Sequence, residues 1–386
     1  MSFLPQSTSQ FDPVLFRQQL HRFPELSGQE HSTANAIARQ LQAFGLSPKT
    51  AVTASNGVGI VCEINSGKPG STTLLRADFD ALPIEETASH DHISCHCGVM
   101  HACGHDGHTA SLMTVAHQLS LTPPSSGRVL LLFQPAEETG TGAADMIGNR
   151  WLAEQQVDQA FAYHNLPGYP RHSVITKPGN FACASTGVSI ELIGKTSHAA
   201  RPENGINPTQ AMVALISFLQ QLPKQFSPVF SLVTVVHAKL GESAFGTSPG
   251  YAKIEATLRS EETDTLAAMQ RAITAELKHQ CEQHQLESTL NWQESFRAVV
   301  NAAPQTEQVL AAAQELGLKT VVLEEPMRWS EDMAEFLATW PGNMFCLGSG
   351  ESHPELHNPD FDFPDPLIDT ASRMFLRLID TIHNGN

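Results

Sequence analysis

The stretch GRVLLLFQPAEE, residues 127–138, decides the fold class of this chain. Its apolar run, VLLLF, shows no alternation with polar residues, which is typical of a strand that is buried on both faces. The run ends at Pro135 and is followed by Glu137 and Glu138. The stretch therefore predicts a buried parallel strand with acidic side chains beyond its carboxyl end.

Two further apolar segments end in the same way. Asp78 and Asp80 follow the segment TLL, and His164 follows AFAY, so each lies just beyond a predicted strand. Ligands of open α/β sheets bind outside the carboxyl ends of the strands. The adjacent carboxylates of Glu137 and Glu138 repel each other unless a cation lies between them. A metal centre explains the pair, because one carboxylate binds the ion while the other acts as a general base on a water.

The stretch MHACGHDGH, residues 100–108, offers further ligands. Cys103 and His105 are two residues apart at a predicted helix entry, and thiolate and imidazole both suit zinc and related divalent ions. The alternative is a nucleophilic Cys103 at a helix N-terminus. That alternative gives the acidic clusters no role. His101 and His108 are expected to support the site or the fold.

Two more histidines lie in unusual contexts. His357, in SHPELHNPDFDFPD, lies in a proline-rigid turn near the end of the chain, where it can supply a last metal ligand. His198, in GKTSHAARPENG, lies in a polar loop directly after a predicted strand.

The pattern of helices and strands predicts two domains. Helices alternate with buried strands in the first half, which indicates a mostly parallel α/β sheet. From about residue 181 the order becomes β-α-β-β-α-β, the split, ferredoxin-like arrangement. We therefore predict a catalytic α/β domain over residues 1–180 and 295–386, interrupted by an inserted domain over residues 181–294.

Composition narrows the classes of partner. The 386 residues carry a formal net charge of −17, which argues against nucleic acid or an anionic membrane as partner. No apolar run approaches the roughly 20 residues of a membrane helix, and MSFLPQSTSQFDP shows no signal-peptide pattern. The seven cysteines do not form a disulfide framework. A cytoplasmic protein is expected.

The chain resembles the aminoacylase/carboxypeptidase-like zinc metallopeptidase family. It is most similar to the amidohydrolase branch with hippurate hydrolase, N-acyl-amino-acid deacylases and indole-acetyl–amino-acid hydrolases. Seven stretches carry the resemblance, in family order and over nearly the whole chain: LHRFPELSGQE, LLRADFDALPIEE, MHACGHDGHTASLM, LLFQPAEETGTGA, GKTSHAARPENGINP, SEDMAEFL and LHNPDFDFPD. The resemblance implies cleavage of N-acyl amino acids to a carboxylic acid and a free amino acid. It also implies that the inserted domain is a lid and homodimerisation domain.

The resemblance also implies roles for individual residues. Two divalent ions, of zinc, manganese, cobalt or nickel, would be held by Cys103, His105, Glu138, His164 and His357. Glu137 matches the general base, Asp80 an aspartate that orients a ligand, and His198 a histidine that stabilises the oxyanion. Asp78 stands where other branches have a histidine, so it receives no ligand role. The guanidinium of Arg259 suits the free carboxylate of the substrate.

One stretch of the predicted lid departs from the family. Relatives carry Asn-Val-Ile-Pro where this chain has Gly246, Thr247, Ser248 and Pro249. The amino-acid specificity is therefore open, and dipeptides or other amide conjugates are alternative substrates. A non-catalytic binding protein on the same fold and a thiol enzyme that uses Cys103 are alternative functions. Treatment with a chelator distinguishes the thiol enzyme from a metal-dependent one, because a thiol mechanism would survive metal removal.

Overall fold

The structure is a computed structural model that describes residues 11–55 and 57–384. Residues 1–10, on which the expectation of no signal peptide rests, lie outside the described residues, as do residues 56, 385 and 386. None of the helices in the described ranges is long and apolar enough to span a membrane.

The strands and helices are numbered here along the whole chain. The strands are β1 (Ile60–Asn65), β2 (Thr72–Asp78), β3 (Arg128–Gln134), β4 (Gln159–Pro167), β5 (Val174–Thr176), β6 (Gly179–Ala182), β7 (Ala184–Ile193), β8 (Ser197–His198), β9 (Ser231–Leu240), β10 (Thr247–Ser248), β11 (Tyr251–Ser260), β12 (Glu287–Phe296), β13 (Val299–Asn301), β14 (Thr320–Val322) and β15 (Gly342–Gly350). The α-helices are α1 (Pro13–Arg22), α2 (His31–Ala43), α3 (His105–Leu121), α4 (Gly142–Ile147), α5 (Arg150–Ala153), α6 (Thr209–Gln221), α7 (Thr263–His284), α8 (Ala303–Glu315), α9 (Met333–Thr339) and α10 (Pro366–Asn384).

The chain divides into two compact units. The first comprises the described residues up to Phe181 together with Val299–Glu325 and the residues from Glu331 onward. The second comprises Ala182–Ala298 and the short segment Pro326–Ser330, which the domain boundaries predicted above do not include.

The first unit is built on a seven-stranded sheet in the order β1-β3-β2-β4-β15-β5-β14. Four of its neighbouring pairs are parallel, and only β1 with β3 and β15 with β5 are antiparallel. The apolar run of β3 is fully buried from Val129 to Phe133, as its unbroken pattern predicts. The structure confirms the mostly parallel α/β sheet.

The second unit contains a four-stranded antiparallel sheet in the order β12-β7-β11-β9. Its main elements follow the chain as β7, α6, β9, β11, α7 and β12. This is the predicted β-α-β-β-α-β arrangement. Buried residues of α6 and α7, such as Leu215 and Ile273, form its core with Ile190 and Ile254 from the sheet.

The strand ends predicted before Asp78 and His164 are both too early, since β2 runs through Asp78. His164 was expected just beyond a strand, but β4 continues through it to Pro167. The reason is the parallel partner β15, which pairs with β4 over this length and places Cys346 opposite His164. His164 therefore lies inside β4, which pairs with β15 both before and after this residue.

Candidate metal centre

Three adjacent parallel strands place the acidic clusters at one edge of the sheet. Strands β2 and β3 lie side by side, with Asp78 opposite Gln134 at their carboxyl ends. Asp80 follows β2, Glu137 and Glu138 follow β3, and all three side chains are largely withdrawn from solvent. The neighbouring β4 contributes His164.

The loop before α3 brings in the thiol and the second imidazole. Gly104 precedes the helix with a φ of 96°, and a Cβ at this position would lie 2.2 Å from Asn165 Oδ1. Glycine is therefore required here, both for the left-handed backbone and for the close approach. This turn places Cys103 and His105 on the two sides of the helix start, with both side chains buried.

The five predicted ligands fall into two groups that share one residue. Ligand atoms of Cys103, His105 and His164 lie within 4.8 Å of one another, and so do those of Cys103, Glu138 and His357. The sulfur of Cys103 is 3.3 Å from His164 Nε2. Glu138 Oε1 is 3.7 Å from His357 Nε2 and 3.8 Å from His105 Nε2. Two sets of three ligand atoms with a common thiol can hold two neighbouring ions.

The imidazole rings are oriented by bonds to their other nitrogens. His105 Nδ1 lies 3.1 Å from Asp80 Oδ1, and His164 Nδ1 donates to the Asn165 carbonyl at 2.7 Å. The second oxygen of Asp80 accepts bonds from Ser27 Oγ and the Glu138 amide. Fixing Nδ1 leaves Nε2 as the atom that can bind an ion.

Two buried atoms of this cluster fit a cation. His105 Nε2 and Glu138 Oε1 make no hydrogen bond to any residue that the structure describes. An unsatisfied buried polar atom is costly, and metal ligation is one way to satisfy it. The donor set of thiolate, imidazole and carboxylate suits divalent first-row ions.

The half-exposed His357 is held by the backbone and not by burial. Its side chain is 51% exposed, its φ is 65°, and its amide donates to the Ala102 carbonyl at 2.8 Å. That bond ties the turn near the chain end to the loop that carries Cys103. It explains how a residue about 250 positions downstream reaches the same cluster.

The protonation of Cys103 bears on the thiol alternative. Burial, and then the Glu138 carboxylate, raise the pKa of the Cys103 thiol well above its usual range, although His105 opposes them. A nucleophilic cysteine needs the opposite shift. The raised pKa disfavours a free thiolate nucleophile, and the two groups of ligand atoms that meet at Cys103 favour a role as a metal ligand.

Glu137 lies beside the ligands. Its Oε2 is 3.9 Å from His105 Nε2, and its Oε1 accepts a bond from the Asp332 amide at 3.3 Å. Burial and the nearby carboxylates of Glu331 and Glu138 raise the pKa of Glu137 well above its usual range. A carboxyl group with a raised pKa at this place can accept and return a proton.

Asp78 lies near the ligand cluster, with Oδ2 3.7 Å from His105 Nε2, but its hydrogen bonds go to other residues. Its oxygens are 2.6 Å from Arg76 Nη1 and 2.6 Å from His108 Nδ1. Arg76 is fully buried and also pairs with Glu331 and Asp332. This ion-pair network, which sequence analysis missed, has one local signal: an arginine inside a buried strand requires carboxylate partners.

The two remaining histidines of the loop differ in their surroundings. His108 joins the buried network through Asp78. His101 is buried, and neither of its ring nitrogens has a hydrogen-bond partner among the described residues. Burial lowers the pKa of His101 to about 4, so its ring is neutral at neutral pH.

Two predicted substrate-contacting residues lie in the second unit. His198 is exposed on β8, which pairs with β10 so that His198 is opposite Thr247. The altered stretch of the predicted lid therefore packs directly beside His198. Arg259, on β11, donates from Nη1 to the Arg328 carbonyl at 2.8 Å and to Ser330 Oγ at 3.2 Å.

Known proteins share this architecture. A model of Peptidase family M20/M25/M40 matches residues 74–381. N-acetyl-L-cysteine deacetylase of Bacillus subtilis is 32% identical over 95% of this chain and 87% of its own length. Hippurate hydrolase of Campylobacter jejuni is 31% identical over 94% of each chain. The crystal structure of a Bacillus subtilis protein, described as a dinuclear metal-binding peptidase from the M20 family, is 28% identical, with a TM-score of 0.81 over 97% of this chain and 98% of that one. These matches confirm the family resemblance expected from the sequence.

Proposed function

Since the chain belongs to Peptidase family M20/M25/M40, we propose that it is a metal-dependent amidohydrolase that cleaves N-acyl amino acids to a carboxylic acid and a free amino acid. Hydrolysis of an amide bond is the chemistry of the family. The observation that carries the proposal is the pair of ligand groups that share Cys103, with Glu137 beside them.

In this proposal the ions are held by one ligand set: Cys103, His105, Glu138, His164 and His357. Divalent ions at this place supply Lewis-acid polarisation of an amide carbonyl and acidify water. Glu137 takes the proton of the attacking water and returns it to the departing amine nitrogen. Asp80 holds the His105 ring in the orientation that directs Nε2 into the cluster. Oxyanion stabilisation by His198 and carboxylate binding by Arg259 stay predictions.

Support for N-acyl amino acids as substrates comes from the relatives. One relative is named for N-acetyl-L-cysteine, another for hippurate and a third for N-acetyldiaminopimelate, and each of these compounds carries an N-acyl group on an amino acid. Two carboxypeptidases of Saccharolobus solfataricus are about as similar to this chain as these relatives are. Dipeptides are therefore a second candidate class of substrate. The altered stretch from Gly246 to Ser248 packs beside His198, so the amino-acid preference is expected to differ from that of relatives.

The test is release of free amino acid from a panel that includes N-benzoylglycine, N-acetyl amino acids and dipeptides. We expect the metal-loaded protein to cleave members of the N-acyl set and chelated protein to lose this activity. Activity should return when the divalent ion is restored. Activity that persists after chelation would instead support a thiol mechanism at Cys103. Cleavage of the dipeptides alone would replace the proposed substrate class.

Replacement of Asp80 tests how the ligands are positioned. In Asp80→Ala the Glu138 amide loses its partner, and His105 Nδ1 loses the carboxylate but keeps the Asp80 backbone carbonyl, 3.0 Å away. We expect metal affinity about 10–100-fold weaker than in the wild type, since that is the usual cost of losing a group that orients a ligand. Competition with a chromophoric chelator measures the change. Ser27→Ala, which removes only one bond to Asp80, is the control and should stay near wild type. Equal affinities in all three proteins would rule out the positioning role.

We also propose a cytoplasmic homodimer formed through the second unit. Supporting the dimer, six large apolar side chains of that unit are exposed, most of all Val213 at 57%, Val236 at 61% and Phe245 fully. All seven cysteines are free thiols, which fits a reducing compartment. Sedimentation analysis of the wild type against Val236→Asp measures the oligomeric state.

A further inference from the structure

A second group of histidines lies in the stretch SHDHISCHCG, residues 89–98, which the proposed catalytic cluster does not use. The rings of His90 and His92 are stacked, with centroids 3.7 Å apart and planes within 10°. Both rings are mostly buried, with 17% and 12% of their side chains exposed.

We infer that His90, His92 and Asp362 form an additional binding site for a divalent first-row transition ion, separate from the cluster around Cys103. Ligand atoms of these three residues lie within 4.8 Å of one another. His92 Nε2 is 3.1 Å from both Asp362 oxygens, and His90 Nε2 is 3.9 Å from Asp362 Oδ1. The assignment does not depend on the proposed function.

The His90 ring provides an independent reason for a ligand. Both of its nitrogens are buried and make no hydrogen bond within the described part of the chain. Glu86 Oε1 lies 3.0 Å from His90 Nε2 but outside hydrogen-bond geometry. The same Glu86 oxygen accepts from His21, with Nε2 at 3.0 Å. The unused His90 nitrogens are what a bound cation would satisfy.

The charged groups around the site carry more negative than positive charge. Four carboxylates lie in this network: Glu86, Asp106, Asp362 and Asp365. Arg17 and His21 are the two groups that oppose them, and Arg17 pairs directly with Asp362 at 2.6 Å. Even with His21 protonated, four negative charges face two positive ones. With His90 and His92 neutral, a bound divalent ion would balance these charges.

The competing occupant is the Arg17 guanidinium. Its Nη2 lies 3.1 Å from His92 Nε2, so metal binding must replace that contact. The nearly parallel rings also direct their lone pairs side by side, so both rings must rotate for the nitrogens to converge. Residues 83–98, which carry both rings, form no helix or strand. Two imidazoles and a carboxylate favour zinc, nickel, cobalt or copper over magnesium or calcium.

The test is equilibrium dialysis of the full chain against Zn²⁺, followed by metal analysis. We expect His90→Gln/His92→Gln to bind about one equivalent less than wild type. The matched control is His237→Gln/His279→Gln, which removes two exposed histidines of the second unit and should match wild type. Equal zinc content in the wild type and in the His90/His92 variant would overturn the assignment. An equal loss in the control would do so too, because it would mark nonspecific binding.

A variant that lacks ligands of the proposed catalytic cluster distinguishes zinc bound at this site from zinc bound at that cluster. Cys103→Ala/Glu138→Gln removes the shared ligand and one carboxylate of the proposed catalytic cluster. This protein should still bind about one zinc, and adding His90→Gln/His92→Gln should remove it. Failure of the proposed function would change the catalytic equivalents and leave this difference intact. If the double histidine variant does not fold, Asp362→Asn, which keeps both histidines, gives the same comparison. An Asp362→Asn protein that binds as much zinc as its parent would then overturn the site.

Discussion

The Glu137→Gln variant is expected to hydrolyse N-acyl amino acids about 10²–10⁴-fold more slowly than wild type, the usual contribution of a general base. The amide has the size of the carboxylate but cannot take the proton of the attacking water. Glu137 is outside both ligand groups, so the metal content should be unchanged. Steady-state rates on the best substrate of the panel, together with metal analysis of the same sample, measure both quantities.

The comparison needs a glutamate whose loss should not matter. Glu351 is exposed, and Glu351→Gln should keep wild-type rates and metal content. A Glu137→Gln protein that loses its ions would show that the carboxylate acts as a ligand. A protein that keeps both its ions and its rate would remove Glu137 from the mechanism.

Replacement of Arg76 is expected to have the largest effect on stability. In Arg76→Met the side chain keeps much of its volume, but Asp78, Glu331 and Asp332 lose their shared cation in a buried site. Removing one partner of a buried ion pair typically costs about 3–5 kcal/mol, because the remaining charges are uncompensated. The burial of Arg76 is complete, so solvent cannot replace the lost guanidinium.

Denaturant unfolding of the two proteins measures this cost. The control is Arg150→Met, whose side chain is 91% exposed and, among the described residues, forms an ion pair with Glu154 four residues away. Its loss should change the free energy of unfolding by about 0.5 kcal/mol or less. If Arg76→Met unfolds at the same denaturant concentration as Arg150→Met, the three carboxylates must be protonated or otherwise neutralised in the wild type.

Local patterns predicted the framework of this fold because hydrophobic periodicity is a local property. The unbroken apolar run of β3 indicated a strand buried on both faces. The end of β4 was placed too early, because its length is set by pairing with β15, slightly more than 180 residues away.

Residue types and positions likewise indicated a metal centre, since thiolate, imidazole and paired carboxylates are chemically unlike ordinary surface polarity. They did not show that Cys103 belongs to both ligand groups. They also did not show that Asp78, so close in sequence to Asp80, is held by Arg76 and His108. Asp78 is the last residue of β2 and Asp80 lies beyond it, so strand periodicity does not relate the two side chains, and their partners depend on the neighbouring elements.

The sequence by itself determined the mostly parallel sheet, the inserted β-α-β-β-α-β segment and the chemical type of the ligands. Only the tertiary structure decided which of these groups meet. Glu331 and Asp332 reach Arg76 across about 255 residues of chain, and Asp362 reaches His92 across 270. Such contacts depend on strand order and on the packing of the turns between strands, and no local pattern of residues records either one.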